Sequence, residues 1–221
     1  MSKVLVFAPH PDDETLGCGG TLFRHKVEGD ELYWIIVTSI SEDTGWSKAN
    51  VKKRDIEIDA VARKYEFKDV LNFRLPTTKL DIMPLADLIE KISVVYLQTE
   101  PEIIYMPCIY DVHTDHQIIA KALQSTLKWF RYPHIRKVLM YETPSETEFN
   151  FMEKSTFNPN VFVNISDHLN DKIEAMQIYE SEIGDFPFPR SEKTIRSLAA
   201  FRGSQSGYEA AEAFELVYER K

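Results

Sequence analysis

The sequence predicts an α/β protein with a doubly wound, mostly parallel sheet and helices on both faces. Short apolar runs such as 4–8 and 32–38 lack polar alternation, which fits strands that are buried on both faces. Amphipathic segments with helical periodicity follow these runs along the chain. A chain of 221 residues can also bury a core without disulfides or a structural metal. We therefore expect one domain over residues 1–221.

The predicted strands, in chain order, are 4–8, 32–38, 69–73, 103–106, 137–141 and 161–165. The predicted helices between them are 15–29, 48–65, 84–97 and 114–130. Gly29 ends the first helix, and Pro84 suits the first turn of the third. Apolar residues recur at three- and four-residue steps in the second and fourth helices. Further helices are predicted over 167–182, 190–202 and 208–219, which would make the C-terminal part helical.

The composition argues against several classes of protein. The net charge is −9 and 43% of the residues are hydrophobic, too high a fraction for a disordered chain. The acidic excess disfavours a nucleic-acid binder, which needs a clustered basic face. No apolar run approaches the roughly 18 residues of a membrane helix, and the polar stretch 10–14 interrupts the apolar N-terminus before it resembles an export signal. Two cysteines lying 90 positions apart predict reduced thiols in a cytoplasmic protein.

A polar cluster follows the first predicted strand. His10, Asp12, Asp13 and Glu14 fall within five residues, and two prolines stiffen the loop that holds them. In an open α/β sheet, ligands bind at the carboxyl ends of strands, where this loop lies. The alternative is a polar turn whose acidic side chains lie at the positive end of the following helix.

A second cluster, Asp-Val-His-Thr-Asp-His at 111–116, follows the predicted strand 103–106. His113 and His116 share a helix face if the helix has already begun there. The alternative is a capped helix N-terminus with two surface histidines. In the common strand order, the first and fourth strands flank the switch point of the sheet, so the two clusters would face each other across one crevice.

Together the two clusters have the composition of a catalytic metal site. Two imidazoles and one carboxylate, with a fourth position open to water, are typical of catalytic zinc. The same ligand types also suit iron(II), which is the alternative metal. A second carboxylate beside such a site can take the proton of the attacking water.

These motifs resemble those of the LmbE/PIG-L family of zinc-dependent de-N-acetylases. Residues 8–14 are similar to the family's A-H-P-D-D-E, with Pro9 as a variation in its leading residues, and residues 113–116 are similar to its H-x-D-H. Residues 208–214 are a weaker match to its C-terminal A-E-A-F element. The three elements span nearly the whole chain, and the resemblance implies the Rossmann-like fold of the family.

The resemblance assigns roles to the matching residues. His10, Asp13 and His116 would bind zinc. Asp12 would be the general base, and His113 would stabilise the oxyanion and help to protonate the leaving amine. The implied reaction is hydrolysis of the acetamide of an N-acetylglucosamine-type conjugate.

Three further residues are candidates for substrate binding. Arg54 and Glu57 have the spacing of an Arg-x-x-Glu that faces the substrate in many members of the family, and the alternative is an i,i+3 ion pair on a solvated helix face. Trp46 would stack on a sugar ring or, alternatively, be an interior or interface aromatic. The turn 186–189, with Arg190 after it, is either a lid over the substrate or an ordinary packed turn.

The predicted function is metal-dependent removal of an acetyl group from a small-molecule N-acetyl amino sugar conjugate, with neither nucleic acid nor membrane as a partner. The alternatives are a non-catalytic sugar-binding or scaffold protein of the same fold and a metallohydrolase acting on another amide or ester. The presence of every expected ligand and of the base disfavours lost catalysis. The sequence leaves the aglycone and the oligomeric state open, and a homo-oligomer is compatible with it.

Overall fold

The computed structural model of the chain describes residues 1–151 and 156–221. Its strands are β1 (Lys3–Ala8), β2 (Glu31–Ser39), β3 (Asp69–Pro76), β4 (Ile103–Pro107), β5 (Lys137–Tyr141), β6 (Val161–Asn164) and β7 (Ala211–Glu219). Its α-helices are α1 (Asp13–Glu28), α2 (Lys48–Tyr65), α3 (Leu85–Thr99), α4 (Thr114–Thr126), α5 (Leu169–Ile178) and α6 (Glu192–Ser206). Short 3-10 helices at Glu42–Thr44, Leu80–Ile82 and Thr147–Phe149 lie in the connections.

The strands form one sheet with the order β3-β2-β1-β4-β5-β7-β6. Strands β1 to β5 are parallel to one another, whereas β7 runs antiparallel to both β5 and β6. Because β1 and β4 are paired, with Val4 opposite Ile103, the loops that leave their carboxyl ends lie side by side. The predicted doubly wound, mostly parallel sheet is confirmed, and both polar clusters lie at its switch point.

Side chains of the central strand β1 alternate between two apolar layers. Val4 and Val6 pack in the layer that includes residues of α1, α2 and α5. Leu5 and Phe7 pack in the other layer, which includes residues of α3 and α4. All four side chains are fully buried, which explains why this strand is an unbroken apolar run. Helices therefore cover both faces of the sheet, as predicted.

The start of α1 lies very close to the sheet. A Cβ at Gly17 would overlap the ring of Tyr141, so this approach requires glycine. The hydroxyl of Tyr141 donates to the carbonyl of Phe7, near the end of β1, at 2.7 Å. These contacts fix the position of the loop between β1 and α1, which carries the first polar cluster.

The prediction of a helix over 208–219 is wrong, because most of this segment is strand β7. Its Ala and Glu residues favour a helix in isolation. Pairing with β5 and β6 and the complete burial of Phe214 override that preference. The helix predicted over 114–130 ends earlier, at Thr126, and the one predicted over 167–182 is the shorter α5. The C-terminal part is therefore a mixture of helix and strand.

Cys18 and Cys108 are both buried and free. Burial raises the pKa of each thiol, so neither is a thiolate near neutral pH. Among the helices of the described residues, none combines the length and the apolar character that crossing a bilayer requires.

Candidate active site and metal centre

The two polar clusters meet in a cleft of about 290 Å³ at the carboxyl ends of β1 and β4. The loop after β1 contributes His10, Asp12 and Asp13, and the start of α4 contributes His113. The lining also includes Thr38, Ser39, Ile40, Trp46, Arg54, Thr77, Thr78, Glu146, Glu182 and Arg190. A larger cavity of about 560 Å³ lies between the loop after β5 and α6, but its described lining contains no histidine. The smaller cleft is therefore the one that carries residues of both predicted polar clusters.

The loop after β1 is strained at Asp12, where φ is 133°. The backbone N–H of Asp12 donates to the carboxylate of Glu14 at 3.1 Å. The carbonyl of Pro11 accepts from Arg54 Nη1 at 3.0 Å. The side chains of Glu14 and Arg54 thus hold the backbone of the loop at and before the strained residue. The carboxylates of Asp12 and Asp13, although adjacent in the chain, contact different partners.

Three donor atoms form a nearly equilateral triangle. His10 Nδ1 and His116 Nε2 are 3.3 Å apart, and each lies 3.3 Å from Asp13 Oδ2. A tetrahedral metal with bonds of about 2.0–2.1 Å spaces its ligand atoms by about 3.3–3.4 Å, so the triangle matches one face of such a site. The possible ligand atoms of His10, His113 and His116 also lie within 4.8 Å of one another, as do those of His25, Glu28 and Asp30 elsewhere in the described residues. The triangle of His10, Asp13 and His116 coincides with the ligand set that the family resemblance implies.

A carboxylate lies behind each of the two imidazoles of the triangle. Asp111 Oδ2 is 2.8 Å from His116 Nδ1, and Asp115 Oδ2 is 3.2 Å from His10 Nε2. These contacts favour a proton on the outer nitrogen of each ring, which leaves a lone pair on the inner nitrogen for a metal. Asp115 is itself held by the backbone N–H of Thr78, at 2.7 Å. The sequence prediction gave Asp111 and Asp115 no role in the site.

The surroundings of the imidazoles favour positive charge. Burial opposes the protonation of His10, but hydrogen bonds to Asp115 and Asp13 raise the pKa of its imidazole to about 9. Burial also opposes the protonation of His116, and the carboxylates of Asp13 and Asp111 raise its pKa to about 10. Burial would raise the pKa of Asp13, but the neighbouring His116 holds it well below its ordinary value. The carboxylates of Asp13, Asp111 and Asp115 therefore favour positive charge at this place in the cleft.

Asp12 and His113, the two predicted catalytic residues, have different surroundings from the triangle. Burial raises the pKa of the Asp12 carboxyl well above its ordinary value, and the guanidinium of Arg190, at 2.8 Å, opposes this rise. Burial lowers the pKa of His113 to about 4, so its imidazole is neutral near pH 7. Its Nδ1 accepts the backbone N–H of Asp115 at 3.1 Å, which leaves the proton on Nε2. The cleft thus contains a basic carboxylate and a neutral N–H donor.

Two of the three residues predicted to bind substrate line the cleft. Trp46 is 46% exposed there, and the side chain of Arg54 is largely buried. Glu57 lies outside the cleft lining, with its carboxylate 3.0 Å from Arg54 Nε. The i,i+3 ion pair exists, but it is buried instead of solvated, and within it Glu57 orients Arg54.

A group from the C-terminal part of the chain also reaches the cleft. Arg190, at the turn before α6, donates from Nη1 to Asp12 Oδ2 at 2.8 Å and to Glu182 Oε2 at 2.9 Å. Glu182 also accepts a hydrogen bond from Arg54 Nη2. Sequence analysis singled out the turn but identified neither Arg190 as a partner of Asp12 nor Glu182 as a residue of the site. Arg190 is part of the cleft wall.

Residues 5–127, more than half of the chain, match the sequence profile of the PIG-L family, which is described as GlcNAc-PI de-N-acetylase. The chain belongs to the PIG-L family. The matched region runs from β1 to the end of α4 and includes both polar clusters. The family resemblance seen in the two motifs is therefore confirmed.

Individual relatives of this PIG-L protein match nearly its whole length. The diacetylchitobiose deacetylase of Thermococcus kodakarensis is 26% identical over 233 residues, which cover 98% of this chain and 84% of that protein. The conserved protein TT1542 of Thermus thermophilus is 24% identical with a TM-score of 0.79, and 100% of this chain and 97% of that chain are covered. The 4-carboxy-2-hydroxymuconate hydratase of Pseudomonas putida is 18% identical with a TM-score of 0.75, and the match covers 100% of this chain and 98% of that chain. The two structures show the fold alone, and since one of them is a hydratase, the fold does not determine the reaction.

Proposed function

We propose that this protein is a metal-dependent deacetylase that hydrolyses the acetamide of an N-acetylated amino sugar conjugate. Family membership supports the reaction class, and the 26% identical diacetylchitobiose deacetylase supports a sugar substrate. The observation that carries the proposal is the 3.3 Å triangle of His10, Asp13 and His116, with the Asp12 carboxylate in the same cleft. Metal-assisted hydrolysis requires this combination of a ligand set and a carboxylate that remains available as a base.

Zinc is the metal we propose for this site. Two imidazoles and one carboxylate are a ligand set typical of catalytic zinc. The same ligand types also suit iron(II), which is the alternative metal. Metal content of the purified protein distinguishes the two.

His10, Asp13 and His116 would hold the zinc, which would act as a Lewis acid toward the amide carbonyl and would lower the pKa of a water molecule. Asp12 accepts a proton from the attacking water as the water oxygen adds to the acetyl carbon. The Nε2–H of His113 donates to the carbonyl oxygen, on which negative charge develops. The proton held by Asp12 then passes to the leaving nitrogen as the C–N bond breaks. The products are acetate and a free amino sugar.

The outer part of the cleft holds the sugar. The exposed ring of Trp46 offers an apolar face for the C–H groups of a pyranose. Arg54 shapes the same side by binding the carbonyl of Pro11, and Glu57 acts on the substrate only through Arg54. We also propose a cytoplasmic location, which the two free, buried cysteines support.

The test is release of acetate and of free amine from a panel of N-acetylglucosamine conjugates by the zinc-loaded protein. We expect hydrolysis of at least one conjugate, loss of activity after chelation, and recovery when zinc is returned. Metal content is measured on the same samples. A folded protein that holds zinc but releases acetate from no conjugate would favour the non-catalytic alternative. Hydrolysis restricted to other amides or to esters would favour the other metallohydrolase.

A further inference from the structure

Two arginines of the cleft wall share one carboxylate. Glu182 Oε2 is 2.9 Å from Arg190 Nη1, and Glu182 Oε1 binds Arg54 Nη2. Burial would raise the pKa of Glu182, but the two guanidinium charges lower it, so Glu182 is ionised near neutral pH. Its side chain is 26% exposed and lines the cleft. A negative charge is thus fixed between the guanidinium groups of Arg54 and Arg190.

The other contacts of the two guanidinium groups are also with oxygen atoms of the protein. Arg54 donates to Glu57 from Nε at 3.0 Å, to Pro11 from Nη1 at 3.0 Å and to Ser181 from Nη2 at 2.9 Å. Arg190 donates to Ser145 from Nε at 2.9 Å and to Asp12 from Nη1 at 2.8 Å, whereas its Nη2 is 3.8 Å from Glu146, an ion-pair distance that is too long for a hydrogen bond. Four carboxylates therefore surround two guanidinium groups. Because bidentate binding of a phosphate or carboxylate uses two unoccupied guanidinium nitrogens, and neither arginine has two, both are poorly placed for such binding.

The rest of the described lining is also unsuited to an anion. It contains no lysine, and its polar residues outside the two clusters include Thr38, Ser39, Thr77 and Thr78. Hydroxyl groups of this kind, together with the ring of Trp46, match the hydroxyls and the apolar face of an uncharged sugar.

We propose that Glu182 makes the cleft selective for uncharged glycosides of N-acetylated amino sugars and against those that carry a phosphate or a carboxylate. The inference rests on the proposed deacetylase function. An anionic substrate has to approach the carboxylates of Glu182 and Glu146 or displace one of them from its arginine, whereas an uncharged sugar does neither. The carboxylates of the cleft wall thus contribute to selectivity by repelling anionic substrates, in addition to the contacts that attract an uncharged sugar.

The test compares kcat/KM of the zinc-loaded protein for N-acetylglucosamine and N,N′-diacetylchitobiose with kcat/KM for N-acetylglucosamine 1-phosphate and 6-phosphate. We expect the uncharged sugars to be preferred by at least about tenfold at low salt, and by less as salt screens the repulsion. Glu182→Gln keeps the size of the side chain and removes its charge, so it should raise the phosphate-to-neutral ratio about tenfold. Glu180→Gln is the matched control, because Glu180 is an exposed partner of Lys53 outside the cleft lining, and it should leave the ratio unchanged.

Equal or faster hydrolysis of the phosphorylated sugars by the unmodified protein would overturn this inference and leave the deacetylase function intact. An unchanged ratio in a Glu182→Gln protein with a wild-type melting temperature would do the same. The ratio for the unmodified protein needs no variant, so the test is decisive even if Glu182→Gln does not fold. Acetate release from none of the four sugars would overturn the proposed function and the inference with it.

Discussion

The cleft has two walls with different electrostatic character. In the inner wall, formed by His10, Asp13 and His116, three possible ligand atoms lie 3.3 Å from one another. In the outer wall, formed by Arg54, Glu182 and Arg190, the guanidinium groups are already paired with carboxylates of the protein. The inner wall is the proposed site of a cation from solution, and the cations of the outer wall are arginine side chains of the chain itself.

In the proposed function, the reaction and the selectivity are assigned to separate parts of this site. The inner wall comes from the segments that follow β1 and β4, and the outer wall comes from α2 and the segment between α5 and α6. Asp12 is where they meet, because it belongs to the inner loop and accepts from Arg190 of the outer wall at 2.8 Å. Changes in one wall should therefore leave the property of the other intact, except at Asp12.

Breaking the triangle should have the largest effect. His116→Ala removes one of three donor atoms, so we expect loss of bound zinc and of measurable acetate release. The melting temperature should also fall, because the carboxylates of Asp13 and Asp111 lose the imidazole that lies between them. His168→Ala, at a histidine that precedes α5 and faces Asp171, should keep both metal and activity. Stoichiometric zinc in a folded His116→Ala protein would remove His116 from the ligand set.

Asp12→Asn tests the point where the walls meet. Asparagine has the same size but cannot accept the proton of water, so kcat should fall about 100- to 10,000-fold. Zinc content should stay at the wild-type level, because Asp12 is not in the triangle. Turnover and metal content are measured together, with Asp43→Asn, at an exposed position, as the control. Unchanged turnover would exclude Asp12 as the base.

The two polar clusters of the inner wall could be predicted from the sequence because each follows a predicted strand within a few residues, and the strand order of an α/β sheet brings them together. The choice of His10, Asp13 and His116 within the clusters came from the family resemblance, and it stays a prediction. Asp111 and Asp115 belong to the second polar cluster, residues 111–116, which also contains His116. A search for the carboxylate that usually supports each metal-binding imidazole would have found them.

The outer wall could not be predicted in this way because its partners are distant in the chain. Arg190 and Asp12 are separated by 178 positions, and no local pattern links them. The prediction of a helix over 208–219 is wrong for the same physical reason. Its local composition favours a helix, but pairing with β5 and β6, which are remote in the chain, and the burial of Phe214 determine that it is a strand.

A smaller effect is expected when the carboxylate that contacts His116 Nδ1 is changed. Asp111→Asn can still accept from His116 Nδ1 but removes the charge, so zinc affinity should fall about 10- to 100-fold. At saturating zinc, kcat should stay near the wild-type value, because the triangle itself is intact. Competition with a chromophoric chelator measures the affinity, and Asp167→Asn, at an exposed position, is the control. Normal affinity with reduced kcat would contradict an orienting role for Asp111.

The smallest expected effect belongs to the rim of the cleft. Trp46→Leu keeps an apolar side chain but removes the flat ring, so KM for an uncharged conjugate should rise about two- to tenfold, the range of an aromatic contact. The values of kcat and zinc affinity should not change, because Trp46 is 46% exposed and is not part of the triangle. Trp129→Leu, at an exposed tryptophan outside the cleft lining, should change neither KM nor kcat. A fall in kcat at unchanged KM would show that the rim affects the reaction itself, and the separation between the two walls would then be wrong.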